Sequence, residues 1–397
     1  MRGLLTASGL VLASLAADAS AQDLSPGVTD NEIRIGNTMP YTGPASAYGV
    51  IGEVMSAYFE MVNDQGGVNG RRVVFISYDD GAAPPRTVEQ TRRLVEQDGV
   101  HLIFGSLGIN QNIATRDYLN ERGIPQLFLA GAIRLFDDPE HFPWTMRWNP
   151  SAYAEAEVLG AFIEENHPDA MVGVLYQDDP LGMDYLAGLI SVLGEDRIVS
   201  QPYALTDPSV DAQVVALRDA GATVFANLST PRAAAQAIRR AAEIEWDAPM
   251  LLASISSSVE GVLRPAGIEN AVGAVTATAQ MDPGSDLWAD DPGVQELVRF
   301  IETYYPQGDP RGAFESYGFS ISWMMTEVLR RAGDDLSREN IMSVAENMRD
   351  VAVPAAMPGL LVNTSPTDHA PLEQFRLARF DGTAFVPFGP IYDTAED

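Results

Sequence analysis

The chain has 397 residues, carries 55 acidic against 25 basic side chains for a formal charge of −30, and contains no cysteine. A charge of that sign excludes a nucleic-acid partner, whose phosphates demand a basic face. Every basic residue is arginine. The missing cysteine and lysine remove disulfides, a lipid-anchored N-terminal cysteine, thiolate and zinc–thiolate chemistry, Schiff bases and a P-loop lysine.

Residues 1–21 read as an export signal: Arg2 is the charged start, Leu4–Leu15 a short apolar segment, and Ala19-Ser20-Ala21 a small-residue cleavage site before Gln22. The apolar run is too short to span a membrane and no later segment is long enough, so the mature chain is expected to be a free periplasmic protein that does not itself span the membrane. About 375 residues remain, enough for two domains of ordinary size.

Strand and helix signals then alternate. Ile33–Met39 reads as a strand and Tyr48–Asn63 as a helix with Ile51, Met55, Tyr58 and Val62 on one stripe. Asp64–Gly70 is a Gly/Asn-rich turn. Val73–Tyr78 is a strand, and Pro84 and Pro85 open a helix whose Val88, Leu94 and Val95 face inward. Val100–Gly105, a helix over Asn110–Glu121 and Pro125–Ala130 complete a parallel βαβ series. Asp137–Pro150, with three prolines and three aromatics, breaks the rhythm and marks the first crossing between domains.

The second series comprises helix Ala152–Glu165, strand Met171–Gln177, helix Pro180–Leu193, strand Ile198–Leu205 and helix Val210–Ala220. Strand Thr223–Asn227, helix Pro231–Ile244 and strands Met250–Ser254 and Val272–Ala279 close it. Helices over Pro292–Tyr305, Gly312–Arg331 and Arg338–Met348 follow without strands between them. Asp381-Gly382, between alternating apolar residues, signals a terminal hairpin. The fold class is therefore α/β, with two doubly wound lobes and a tail that returns to both; hinged lobes of this kind close around ligands.

Little in the chain suggests catalysis. The four histidines lack metal-binding spacing, and there is no G-x-S-x-G or dinucleotide fingerprint. No catalytic residue, metal or cofactor is expected. Asp79-Asp80 and Asp178-Asp179 follow strands and read as helix caps or hinge groups in preference to a metal pair. The loop Ile103–Asn112 opens a helix whose free N–H groups can hold a carboxylate. Tyr41, Tyr48, Tyr153, Phe314 and Tyr317 lie near loop or helix starts, where several together would make an apolar wall with hydroxyl handles.

In order and spacing, MPYTGPASAYG (39–49), NDQGGVNGRRV (63–73), YDD (78–80), IFGSLG (103–108), HFPWTMRWNPS (141–151), VLYQDD (174–179), AAQAIRRA (234–241), LRPAG (263–267) and NTSPTDH (363–369) cover nearly the whole mature chain. In these segments the chain resembles the periplasmic binding proteins of branched-chain amino acid-type ABC transporters. The resemblance implies two Rossmann-like lobes joined by a three-crossover hinge, a type I periplasmic-binding fold: 22–150 with 281–352, and 151–280 with 353–397. It implies a small carboxylate ligand held by Gly108, Ile109 and Asn110 and by Ala130, Gly131 and Ala132, with Tyr48 as wall. The second lobe would add Leu181, Thr230 and Ser254, and the late helices Phe314. Tyr41 and Tyr153 complete the expected wall, and Arg134 and Arg147 are candidate carboxylate partners.

Leucine-type members place an acid near Ser254–Ser256, where this chain has S-I-S-S-S, and another acid near Ala152, also read as absent here. A buried ammonium without a carboxylate costs several kcal/mol. An aromatic or other organic acid without an α-amino group is therefore expected, ahead of leucine or another amino acid or amide. The implied partner is an inner-membrane ABC permease and the expected state a monomer. A cytosolic ligand sensor and an enzyme are the competing readings.

Overall fold

The computed structural model describes residues 25–395, so the export signal lies outside the described residues. The first parallel series comprises β1 (Glu32–Met39), α1 (Gly49–Asp64), β2 (Arg72–Asp79), α2 (Pro84–Glu96), β3 (Leu102–Phe104), α3 (Ile109–Asn120), β4 (Gln126–Leu129) and β5 (Thr145–Arg147). These strands form one parallel sheet in the order β2-β1-β3-β4-β5. Strand β5 falls in the segment read from sequence as a crossing alone. It has three residues, too few for an apolar alternation to show.

The chain then crosses into α4 (Ala152–Asn166), β6 (Val172–Gln177), α5 (Pro180–Leu193), β7 (Ile198–Tyr203), α6 (Asp211–Asp219), β8 (Val224–Leu228), α7 (Pro231–Glu243), β9 (Met250–Leu252), the short α8 (Arg264–Ala266) and β10 (Val275–Thr278). Residues 254–271, of which the sequence assigned only Ser254 to an element (the end of a strand), form a chain of short helical turns. Three helices return to the first sheet: α9 (Pro292–Tyr304), α10 (Ala313–Ala332) and α11 (Arg338–Ala345). Finally β11 (Gln374–Phe380) and β12 (Phe385–Asp393) add an antiparallel hairpin to the second sheet, whose order is β12-β11-β10-β9-β8-β6-β7.

Both sheets are covered on two faces, as parallel sheets require. The expected stripe of α1, with Ile51, Met55, Tyr58 and Val62, is buried with Phe319 and Met325 of α10 against Ile33 and Ile35 of β1. Leu94, Ile103 and Leu119 close the opposite face. On α2 the fully buried positions are Thr87, Thr91 and Leu94; Val95 packs half-buried against the same cluster as Leu94, and Val88 is half-buried. In the second lobe α4 and α5 cover one face and α6 and α7 the other. Val353, Val362 and Leu372 belong to the first core, which therefore reaches past the expected boundary at residue 352. No helix among the described residues is long and apolar enough to cross a membrane.

Candidate functional site

Carboxyl ends of parallel strands are where open α/β sheets hold ligands, and here the two sheets approach each other by those ends: Leu181, just after β6, packs against Ile109, just after β3. On the first lobe, β3 leads through Ser106 to Gly108, whose φ of 108° places it in the region that favours glycine. The Ser106 hydroxyl accepts the Thr38 N–H at 3.2 Å, and buried Asn112 donates to the carbonyls of Ser106 and Gly108. Leu107 bridges Ala130, and Gly108 N–H donates to the Ala130 carbonyl. The first intrahelical bond of α3 runs from Asn112 N–H to Gly108, so the N–H groups of Ile109, Asn110 and Gln111 have no acceptor within the helix. Gly131 is packed so closely on Phe136 that a Cβ would lie 2.7 Å from its ring. Ala132 accepts the N–H of Ala152 and so ties the loop to the start of α4.

Tyr48 caps α1 and its ring lies 4.8 Å from that of Phe314 on α10, joining two of the expected wall residues. Tyr41 takes another role. Its hydroxyl bonds Ser77 at 2.6 Å and its ring packs under Gly49 and Gly52 of α1, so it supports the wall from behind.

Across the cleft, Tyr203 at the end of β7 bonds Thr230 through both the Thr230 hydroxyl and its N–H, at 2.8 and 2.9 Å. Burial pushes Tyr48 up to about 12 and Tyr185 well above its ordinary value, with a smaller contribution from Tyr203 to each. Behind them stands Glu155 of α4, 3% exposed. It accepts from Ser254 N–H at 2.6 Å, the Ser254 hydroxyl at 2.8 Å and the Tyr185 hydroxyl at 3.1 Å. No cation is paired with it among the described residues, and burial raises its pKa from 4.5 to about 7 in spite of those donors. This corrects the expectation that no acid stands near Ala152 or Ser254: α4 supplies Glu155 to the Ser254 turn.

The two arginines proposed as ligand partners are already engaged. Arg134 N–H donates to Asp184 of α5 at 2.9 Å, its guanidinium pairs with the same carboxylate at 3.6 Å, and it stacks 3.4 Å from the centre of the Tyr153 ring. Leu181, one turn earlier on α5, packs against Ile109, Leu129 and Ile133. These contacts join the lobes across the cleft mouth. Arg147 is 3% exposed and lies at the crossings, donating to the Asn149 carbonyl and facing Asp137 and Glu373 at 3.9 and 3.7 Å. With Asp368 those two carboxylates come within 4.8 Å of one another, a grouping able to hold a metal ion, and Arg147 is the cation that faces it. Arg147 therefore belongs to the hinge and not to the cleft.

Asp79, Asp80 and Asp179 are turn and cap residues: Asp79 accepts from Thr42 and Gly81, Asp80 from Ala82 and Thr87, and Asp179 from Gly182. The structure thus pairs Tyr48 with Phe314, Thr230 with Tyr203 and Ser254 with Glu155, and it packs Leu181 against Ile109 and Arg134 against Tyr153. It adds Glu155, Tyr185 and Tyr203, which the sequence reading passed over.

The profile of the family described as "periplasmic binding protein" matches residues 32–384. The chain belongs to that family. A curated relative, Leu/Ile/Val-binding protein homolog 2 of Brucella abortus, is 25% identical over 202 residues, 50% of this chain and 54% of its own, so the chain spans about half the length of that relative. A branched-chain amino acid ABC transporter structure from Thermus thermophilus with bound valine superposes with a TM-score of 0.82 at 17% identity, covering 94% of this chain and 98% of the other. A solute-binding protein of Rhodopseudomonas palustris BisB5 in complex with 3,4-dihydroxybenzoic acid gives 0.75 at 18% identity, covering 92% and 98%. At those identities the likeness concerns the fold.

Proposed function

We propose that this protein is a periplasmic, monomeric receptor that captures a small carboxylate-bearing solute between its lobes and delivers it unchanged to an inner-membrane ABC permease. The carboxylate is held by the open N–H groups of Ile109, Asn110 and Gln111, and the apolar body lies along Tyr48 and Phe314. Glu155 is the observation that carries the reading. A buried, cation-free carboxylate at the far wall calls for a ligand with a second group that donates: an ammonium or a hydroxyl. An α-amino acid meets that demand and so does a hydroxylated aromatic acid. The fold comparisons, with valine in one relative and 3,4-dihydroxybenzoic acid in another, support both candidates.

The test is a thermal-shift screen at pH 8 of valine, leucine, phenylalanine, hydroxybenzoates and plain benzoate. A cognate solute at a hundredfold excess over its Kd adds about 2.7 kcal/mol of stability. Shifts are expected only from compounds bearing both the carboxylate and the donor. Benzoate binding as tightly as its hydroxylated or aminated counterparts would remove Glu155 from the recognition scheme.

A further inference from the structure

The second lobe has a hollow of about 220 Å³ at the amino ends of β8, β9 and β10, the pole of that sheet opposite Tyr203, Thr230 and Ser254. Its walls include Val224, Leu251 and Val275, with Phe162 and His167 from the end of α4 and Arg379 from β11. The Phe162 ring meets His167 edge-on at 6.3 Å and Phe388 at 5.9 Å, and the Arg379 guanidinium lies 5.1 Å from the centre of the Phe388 ring. Among the described residues neither the Arg379 guanidinium nor the His167 ring makes a hydrogen bond or ion pair. Arg379 is exposed and His167 half-buried at the rim of this hollow, so an entering anion meets both without displacing an internal partner.

Several carbonyls at the nearby helix end are already engaged. Phe162 accepts from the Asn166 side chain at 2.9 Å, Ile163 from His167 N–H, and His167 from Arg197 at 3.0 Å.

We propose that this hollow is a second ligand site, taking a small flat organic anion of the aromatic carboxylate class, with the carboxylate on Arg379 and His167 and the ring against Phe162. A guanidinium gives a carboxylate two parallel hydrogen bonds, and an aromatic wall favours a ring over an inorganic ion. The site is independent of the cleft and of the solute proposed for it.

The probe is 4-bromobenzoate, which lacks the donor that Glu155 calls for and carries an anomalous scatterer. Crystals of the full mature protein soaked in the probe should show a bromine peak beside Phe162, absent in Arg379→Ala. In solution, titration at pH 6 should give saturable binding that weakens about tenfold or more in Arg379→Ala, with an unchanged melting temperature showing that the variant folds. Glu155→Gln should leave this binding untouched. No peak in the hollow at saturating probe, or binding that Arg379→Ala does not weaken, would overturn the proposal.

Discussion

Replacing Glu155 by glutamine keeps the shape and removes the charge. In the folded protein the Glu155 carboxyl is raised from 4.5 to about 7, and at about 1.4 kcal/mol per tenfold change in protonation that displacement is worth roughly 3 kcal/mol. Because the folded state holds the proton more tightly than the unfolded chain, this contribution is fully present below pH ~4.5. It is lost as pH rises toward ~7. Other shifted groups, Glu373 among them, are present in both proteins and cancel in the comparison. Urea unfolding of parent and Glu155→Gln across pH 4.5–8 should therefore show the variant gaining on the parent by roughly 3 kcal/mol over that range. The same variant should bind a cationic or hydroxylated cognate solute about 1.5–3 kcal/mol more weakly, the worth of a hydrogen bond to a charged group, or roughly ten- to a hundredfold in Kd. A stability difference that stays flat with pH, within about 0.5 kcal/mol, would refute the account of Glu155 as an uncompensated buried charge.

Arg147→Met leaves Asp137, Asp368 and Glu373 facing one another without their cation; a loss of about 3–5 kcal/mol in urea unfolding is expected, and a loss below 1 kcal/mol would deny Arg147 its hinge role. Asp184→Ala breaks a half-exposed pair with Arg134, so no more than about 1 kcal/mol is at stake. Small-angle scattering should show a larger radius for the empty protein, with affinity reduced up to about fivefold. Phe314→Ala strips the ring that meets Tyr48; calorimetry should register at least about 0.5–1.5 kcal/mol of lost binding from that contact alone, with little change in melting. Gly108→Ala would set a Cβ 2.3 Å from Gln111 and strain a φ of 108°, at a cost of about 1–3 kcal/mol and a displaced α3 start, read as weakened binding of every carboxylate.

Much of the framework is written locally. The stripe on α1, the turn at Asp64–Gly70, the prolines opening α2, α5 and α7 and the Asp381-Gly382 hairpin are properties of neighbouring residues, so the alternation of strand and helix could be read in order. What escaped was tertiary. Thr145–Arg147 is a strand because β4 lies beside it. Glu155 reads as an ordinary glutamate in the first turn of a helix and gains its meaning only from Ser254, 99 positions away. Arg147 stands in a suggestive place but is claimed by Asp137 and Glu373. Tyr41 is bound to Ser77 on the neighbouring strand, which no spacing announces. The start of α3 was legible because a glycine before a helix is itself the signal; the contact of Glu155 with Ser254 was not.

A crystal structure of the mature protein carrying the solute that best raises its melting temperature bears most directly on the whole account. The solute should lie between the sheets, its carboxylate at the N–H groups of Ile109 and Asn110 and its donor within hydrogen-bond reach of Glu155. Density for that solute outside the cleft, or a bound molecule reversed so that its carboxylate meets Glu155, would contradict it.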